Sequence, residues 1–212
     1  MISQVDRLMR DVRVCMDQNM SSHALTLEGD VDTLSLDDII RSKIVDGVRR
    51  VHLMAPYYLL EEGHNFGEEL YWGELFSGWV LLPRDFMRLV VFEMDDWCYP
   101  VHSALSVTDA DYKKQHSRFR GIRGTYQRPV CVLSTRAEGK VLEFYSCRSE
   151  SAHVSRGVYI PYPRIDESGG IDISERCYDA VVYMVAYLTS LSCGEVDKAQ
   201  VYLSAAKSLL EL

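Results

Sequence analysis

The sequence predicts an α+β protein: a helical framework, made of two N-terminal helices and a C-terminal helical hairpin, that carries an inserted antiparallel β module. Three observations predict it. Apolar residues recur at helical spacing from Leu36 to Ala55, and again from Cys177 to Leu210, near the two ends of a 212-residue chain. Between these stretches lie short runs rich in β-branched and aromatic residues, separated by glycine- and proline-bearing turns. Two such runs flank Pro83-Arg84-Asp85, where proline with an aspartate nearby pre-sets a tight turn. The expected segments are 1–56 (N-terminal helices), 57–172 (β-rich insert) and 173–212 (helical hairpin), joined in a single domain without a separating linker.

Taken in order, Ile2, Val5, Leu8, Met9, Val12 and Met16 form an apolar stripe behind Ser3, which predicts a first helix. The polar stretch 20–33 then reads as a connecting loop. Ser35 is placed to cap the second helix, with Asp38 three residues later and Asp37 adding negative charge at the positive end of the helix dipole. Gly47 falls on the apolar stripe of that helix, which predicts close approach by another element. Pro56 ends the helix. Residues 57–77 are broken by Gly63, Gly67 and Gly73 and read as a loop leading into a hairpin. Val80–Trp97 then reads as strand, turn, strand, with the second run as the central strand of a small sheet. A further strand is expected behind Pro100, and a short helix over 111–119. Strands follow at 129–133, 141–145 and 157–161, the last suited by its proline to a sheet edge or exit. A turn at Ser168-Gly169-Gly170 leads to a helix capped by Ser174 and ended by Gly194. Val196, Ala199, Leu203, Ala206 and Leu210 predict the closing helix.

Composition narrows the function. A formal net charge of −8 argues against a general nucleic-acid-binding surface, because neutralising phosphates needs clustered lysine and arginine. The N-terminal residues lack the pattern of a signal peptide, and no apolar run approaches the roughly 20 residues that cross a bilayer, so folding in the cytosol without membrane contact is expected. The six cysteines are scattered without the short spacings of a zinc site or a disulfide framework, and read as reduced, mostly buried thiols.

Catalytic, cofactor and metal motifs are not found. The sequence holds no phosphate-binding glycine loop, nucleophile elbow or helical zinc-histidine pair. The six histidines are dispersed. His64 with Glu61, Glu62, Glu68 and Glu69 suggests a metal at most, but their irregular spacing in a glycine-broken segment fits a solvated acidic loop better. Asp95 and Asp96 are adjacent, and neighbouring strand residues point to opposite faces, so they do not make an acid/base pair.

One stretch stands apart by charge. Lys113, Lys114, Arg118, Arg120, Arg123 and Arg128 account for six of the chain's 23 basic residues, and no acidic residue lies among them. Three readings are open: a solvated loop, contact with an acidic protein partner, and contact with a nucleic-acid backbone.

The order of an N-terminal helix, a loop with Leu27-Glu28-Gly29-Asp30, a long helix, a strand ending in Leu82-Pro83-Arg84-Asp85-Phe86, further strands and a C-terminal helical pair resembles the head-to-tail adaptor proteins of short-tailed phages. The likeness is closest to the virion ring proteins of crAss-like phages and covers most of the chain. The resemblance implies a non-enzymatic structural virion protein, forming a ring of about twelve subunits below the portal protein and above the next tail or ring protein. Genome DNA would pass through the channel without sequence-specific binding, past a wall that the acidic balance keeps from gripping it. In such adaptors the C-terminal segment can dock into the portal, so Leu209, Leu210 and Leu212 are either anchors or the completion of the local hairpin. Two further classes stay open: a small monomeric binding or regulatory module of prophage origin, and an enzyme of unrecognised family.

Overall fold

The computed structural model describes residues 2–16, 35–60, 62–119, 121–145 and 147–211. The loop with Leu27-Glu28-Gly29-Asp30, together with His23, Glu61, Arg120 and Leu212, lies outside the described residues. The fold is α+β. Its elements are β1 (Ile2–Gln4), α1 (Val5–Cys15), α2 (Leu36–Met54), β2 (His64–Asn65), β3 (Leu70–Trp72), β4 (Gly78–Leu81), β5 (Phe86–Met94) and β6 (Leu105–Ser106). Then come α3 (Tyr112–Gln115), β7 (Val130–Arg136), β8 (Gly139–Tyr145), β9 (Val154–Pro161), β10 (Gly170–Asp172), α4 (Tyr178–Ser192) and α5 (Val196–Leu209). They form two compact units, one of residues 1–62 with 163–212 and one of residues 63–162.

The first unit is helical and built from both parts of the chain. α4 packs against α1, α2 and α5, and it is buried on nearly every side, from Ala180 through Ser190. The capping box predicted for α2 is formed: Ser35 Oγ accepts from the Asp38 N–H, and the Asp38 carboxylate accepts from the Ser35 N–H, each at 3.2 Å. Gly47 explains itself through α4, because a Cβ there would lie 2.5 Å from Cγ2 of Val185. Gly194, at φ +79°, ends α4 as expected: its N–H donates to the Leu191 carbonyl and the Glu195 N–H to the Ser190 carbonyl.

Two expectations for this unit are corrected. Residues 2–4 are strand, paired antiparallel with β10 (Ser3 opposite Ile171), and the helix begins only at Val5. The ladder satisfies backbone groups that a first helical turn would leave open. Ser174 does not cap a helix with its side chain. Its hydroxyl donates instead to the Leu59 carbonyl at 2.5 Å, and a 3-10 turn over Glu175–Cys177 precedes α4.

The second unit is two sheets, where the sequence suggested one small sheet. The smaller has the order β2-β9-β5 and is antiparallel. The larger has the order β3-β4-β8-β7-β6, antiparallel except for the β6–β7 pair. Both contribute to one aromatic-rich core that includes Phe66, Phe92, Trp97, Phe144 and Tyr159.

The turn at Pro83 is present, with the Phe86 N–H donating to the Pro83 carbonyl at 3.0 Å. It is not a hairpin, because β4 and β5 belong to different sheets and the chain changes sheet there. β5 is an edge strand and β9 is central, the reverse of the expectation. The long apolar run of β5 has another origin: three register irregularities interrupt its pairing with β9, so strict in-and-out alternation is lost and Leu89–Phe92 are all buried. The segment 57–77, read as loop, contains the short strands β2 and β3 and two 3-10 turns.

Candidate interaction surface of the β unit

The basic stretch is held by its own polar side chain at its centre. Gln115, the last residue of α3, is buried, and its amide donates to the Asp111 carbonyl at 3.1 Å while its Oε1 accepts from the Gly124 N–H at 2.7 Å. The second of these bonds ties Gly124 back onto α3. Thr125 and Arg128 then exchange backbone hydrogen bonds of 3.1 and 2.9 Å, which closes a tight turn.

The predicted cations end up in different environments. Lys113, Arg118 and Arg128 are exposed, and Lys114 pairs with Asp111 at 2.6 Å in an exposed contact that contributes little stability. Arg123 departs from the expected surface loop: it is only 7% exposed and lines two adjoining clefts. Folding Gln115 onto Gly124 turns the Arg123 side chain inward, and sequence spacing carries no signal of that.

The first cleft, of about 410 Å³, is lined by Lys114, Gln115, Ile122, Arg123, Arg128 and Asp111 among others. The second, of about 360 Å³, is lined by Leu75, Phe76, Arg123, Thr125, Tyr126, Cys147 and Arg148. The Arg148 guanidinium lies over the Tyr126 ring, 4.2 Å from its centroid. Burial pushes the Cys147 thiol up to about 12, so it stands there as a neutral thiol.

Leu75 and Phe76 have φ of 61° and 56°, in the left-handed region that non-glycine residues avoid. The turn is held by the Gly73 N–H on the Ser77 carbonyl (2.8 Å), the Ser77 hydroxyl on the Glu74 carbonyl (2.5 Å) and the Cys147 N–H on the Phe76 carbonyl (2.9 Å). This pair of strained apolar residues was not singled out from the sequence, because nothing in Glu74-Leu75-Phe76-Ser77 signals positive φ.

A second constellation missed by sequence reading sits on the opposite face of the larger sheet from its core. Glu143 accepts from Tyr145 Oη (2.6 Å), Ser134 Oγ (2.8 Å) and Arg136 (3.0 Å). The Arg136 guanidinium also lies 3.8 Å from the Trp79 ring centroid, and Tyr71 stacks on Trp79. Register alone brings them together, since Trp79 and Val132 both stand opposite Glu143. Burial works to raise the Glu143 carboxyl, but the three donors outweigh it and hold it below its usual value. Tyr145 is raised by burial and by donating to Glu143. At neutral pH the Glu143 carboxylate is ionised and paired with the Arg136 cation, with Tyr145 and Ser134 in place as donors. It borders a cleft of about 550 Å³ that also contains Phe86, Met87, Lys140 and Tyr162.

Asp95 and Asp96 serve separate partners: Asp95 accepts from the His153 N–H and lies 2.9 Å from His153 Nδ1, while Asp96 accepts from the Arg148 N–H. Among the described residues no three His, Cys, Asp or Glu side chains gather as a metal site, and no helix is long and apolar enough to cross a membrane. Leu210 is fully buried in the helical unit, whereas Leu209 is 44% exposed. Leu210 therefore packs within the helical unit.

No protein family matches this sequence, and no curated protein matches it.

Proposed function

We propose that this protein is a structural component of a phage particle: a head-to-tail adaptor that forms a ring of about twelve copies at the head–tail junction of the virion. In this reading it folds in the host cytoplasm and meets the portal protein on one side and the next tail or ring protein on the other. Genome DNA passes through its channel without sequence-specific contact, and the protein transforms no substrate.

The observation that carries the reading is that each unit presents large apolar side chains to solvent. Ile2, Val196 and Val201 are exposed in the helical unit, and Phe119 and Ile122 in the β unit, Phe119 at 72%. A head-to-tail ring needs two unlike surfaces per subunit, and exposed apolar groups among polar ones are the material of such contacts. A monomeric binding module would use one of these surfaces and leave the other idle.

Mass measurement by light scattering on the purified chain, alone and mixed with portal protein, tests the proposal. A ring-sized species, alone or on the portal, is the expected result. A strictly monomeric chain with no affinity for portal overturns it.

A further inference from the structure

We infer that the face of the β unit where the two clefts meet at Arg123 binds an acidic peptide segment of a partner protein. Its carboxylates would sit against Lys114, Arg123, Arg128 and Arg148, and an adjacent apolar side chain against Leu75 and Phe76.

Charge is the first argument. Four cations line the two clefts against one carboxylate among the described lining residues, Asp111, which pairs with Lys114, so the positive charge of the three arginines is in excess there. This cationic face belongs to a chain of net charge −8, so it is a local exception that long-range steering by the rest of the molecule does not create. Arg123 sits in a cleft wall with little water around it, where a bond to a carboxylate is stronger than on an open surface. Arginine presents a planar fork that matches carboxylate geometry at two points, and three of the four cations are arginines.

Backbone geometry is the second argument, independent of charge. Leu75 and Phe76 are both held at positive φ, a conformation that is unfavourable for non-glycine residues and persists only where the surroundings enforce it. The result is two apolar side chains displayed at the rim of a cationic cleft. Arginines and a tyrosine in the cleft, Arg123, Arg148 and Tyr126, are residue types that dominate protein-binding hot spots.

Other polyanions fit less well. A single-stranded nucleic acid stacks successive bases on several open aromatic faces, whereas of the two aromatic residues lining the clefts Tyr126 is covered by Arg148 and only Phe76 is open. A lipid surface is flat, and Arg123 lies inside a cleft at 7% exposure, out of reach of a headgroup plane. A peptide side chain can enter.

This inference does not rest on ring formation, and its test needs neither a ring nor a portal. The full-length chain is titrated against a fluorescein-labelled peptide of about ten residues that alternates glutamate with leucine, read by fluorescence anisotropy. The expected result is saturable binding that weakens about tenfold when glutamine replaces glutamate in the peptide, and again as salt is raised through physiological strength. The double variant Arg128→Glu/Arg148→Glu is expected to weaken binding by about tenfold or more. Leu75→Asn and Phe76→Asn remove the apolar rim with a residue that tolerates the left-handed region, and each is expected to weaken binding severalfold with an unchanged circular dichroism spectrum. Equal binding of the glutamine peptide, full binding by the folded variants, or tighter binding of oligothymidylate or phosphatidylserine vesicles than of the acidic peptide would each overturn the inference.

Discussion

Glu143 shows how much a single residue's setting depends on its neighbours. A carboxylate that is only 7% exposed is costly unless donors surround it, and here Tyr145, Ser134 and Arg136 supply three hydrogen bonds. Because its folded value lies below the ordinary 4.5, the folded state binds this proton less readily than the unfolded chain does. The stabilisation is therefore complete above the unfolded value and is lost as the pH falls through the folded one. Urea denaturation between neutral pH and strong acid is expected to show stability falling below about pH 4.5, with Glu143→Gln removing part of that acid-side slope. An identical slope in the variant would mean the network does not contribute. None of this was legible in the sequence. Ser134, Arg136, Glu143 and Tyr145 lie on two strands whose register decides that they meet, and Trp79 comes from a third.

The helices were the elements most open to sequence reading, because capping and periodicity are local. Ser35 with Asp38, and Gly194 at the end of α4, behave as their residue types dictate. Gly47 was read correctly as a point of close approach, although only the structure identifies Val185 as the neighbour. Gly47→Ala gains roughly 1 kcal/mol of helix propensity but forces its new methyl to 2.5 Å from a stiff β-branched side chain. Overpacking of that kind costs about 1 to 3 kcal/mol, so we expect a net loss of stability, visible as a lower melting temperature. A variant as stable as the parent would show that the α2–α4 contact yields easily. Strands were harder to read, since a run such as Phe86–Met94 announces a strand but not its sheet. Its neighbours are set by pairings with residues about seventy positions away.

At the scale of the whole molecule the chain closes its helical unit from two distant segments and interrupts it with the β unit. The two strands at the crossing are paired neighbours, with His64 opposite Tyr159, so the insertion enters and leaves at one place. Joining residues 1–62 to 163–212 through about four glycine and serine residues is therefore expected to leave a helical protein that melts cooperatively, as measured by circular dichroism. A non-cooperative or unfolded product would show that the helical unit needs the β unit to fold.

The sequence by itself determined the α+β class, the long helices with the Ser35 cap and the Gly194 stop, the close approach at Gly47 and the concentration of cations in 113–128, because each is written in local spacing and residue type. Tertiary structure alone decided that the chain switches sheets at Pro83, that β9 is central, that Arg123 turns inward beside Arg148, Leu75 and Phe76, and that Glu143 gathers three donors. The sheet order and the Glu143 network depend on strand register and long-range pairing, and the setting of Arg123 on the Gln115–Gly124 bond and on neighbours from distant segments. Packing against residues far away in the chain settles those contacts, so short-range pattern carries no record of them.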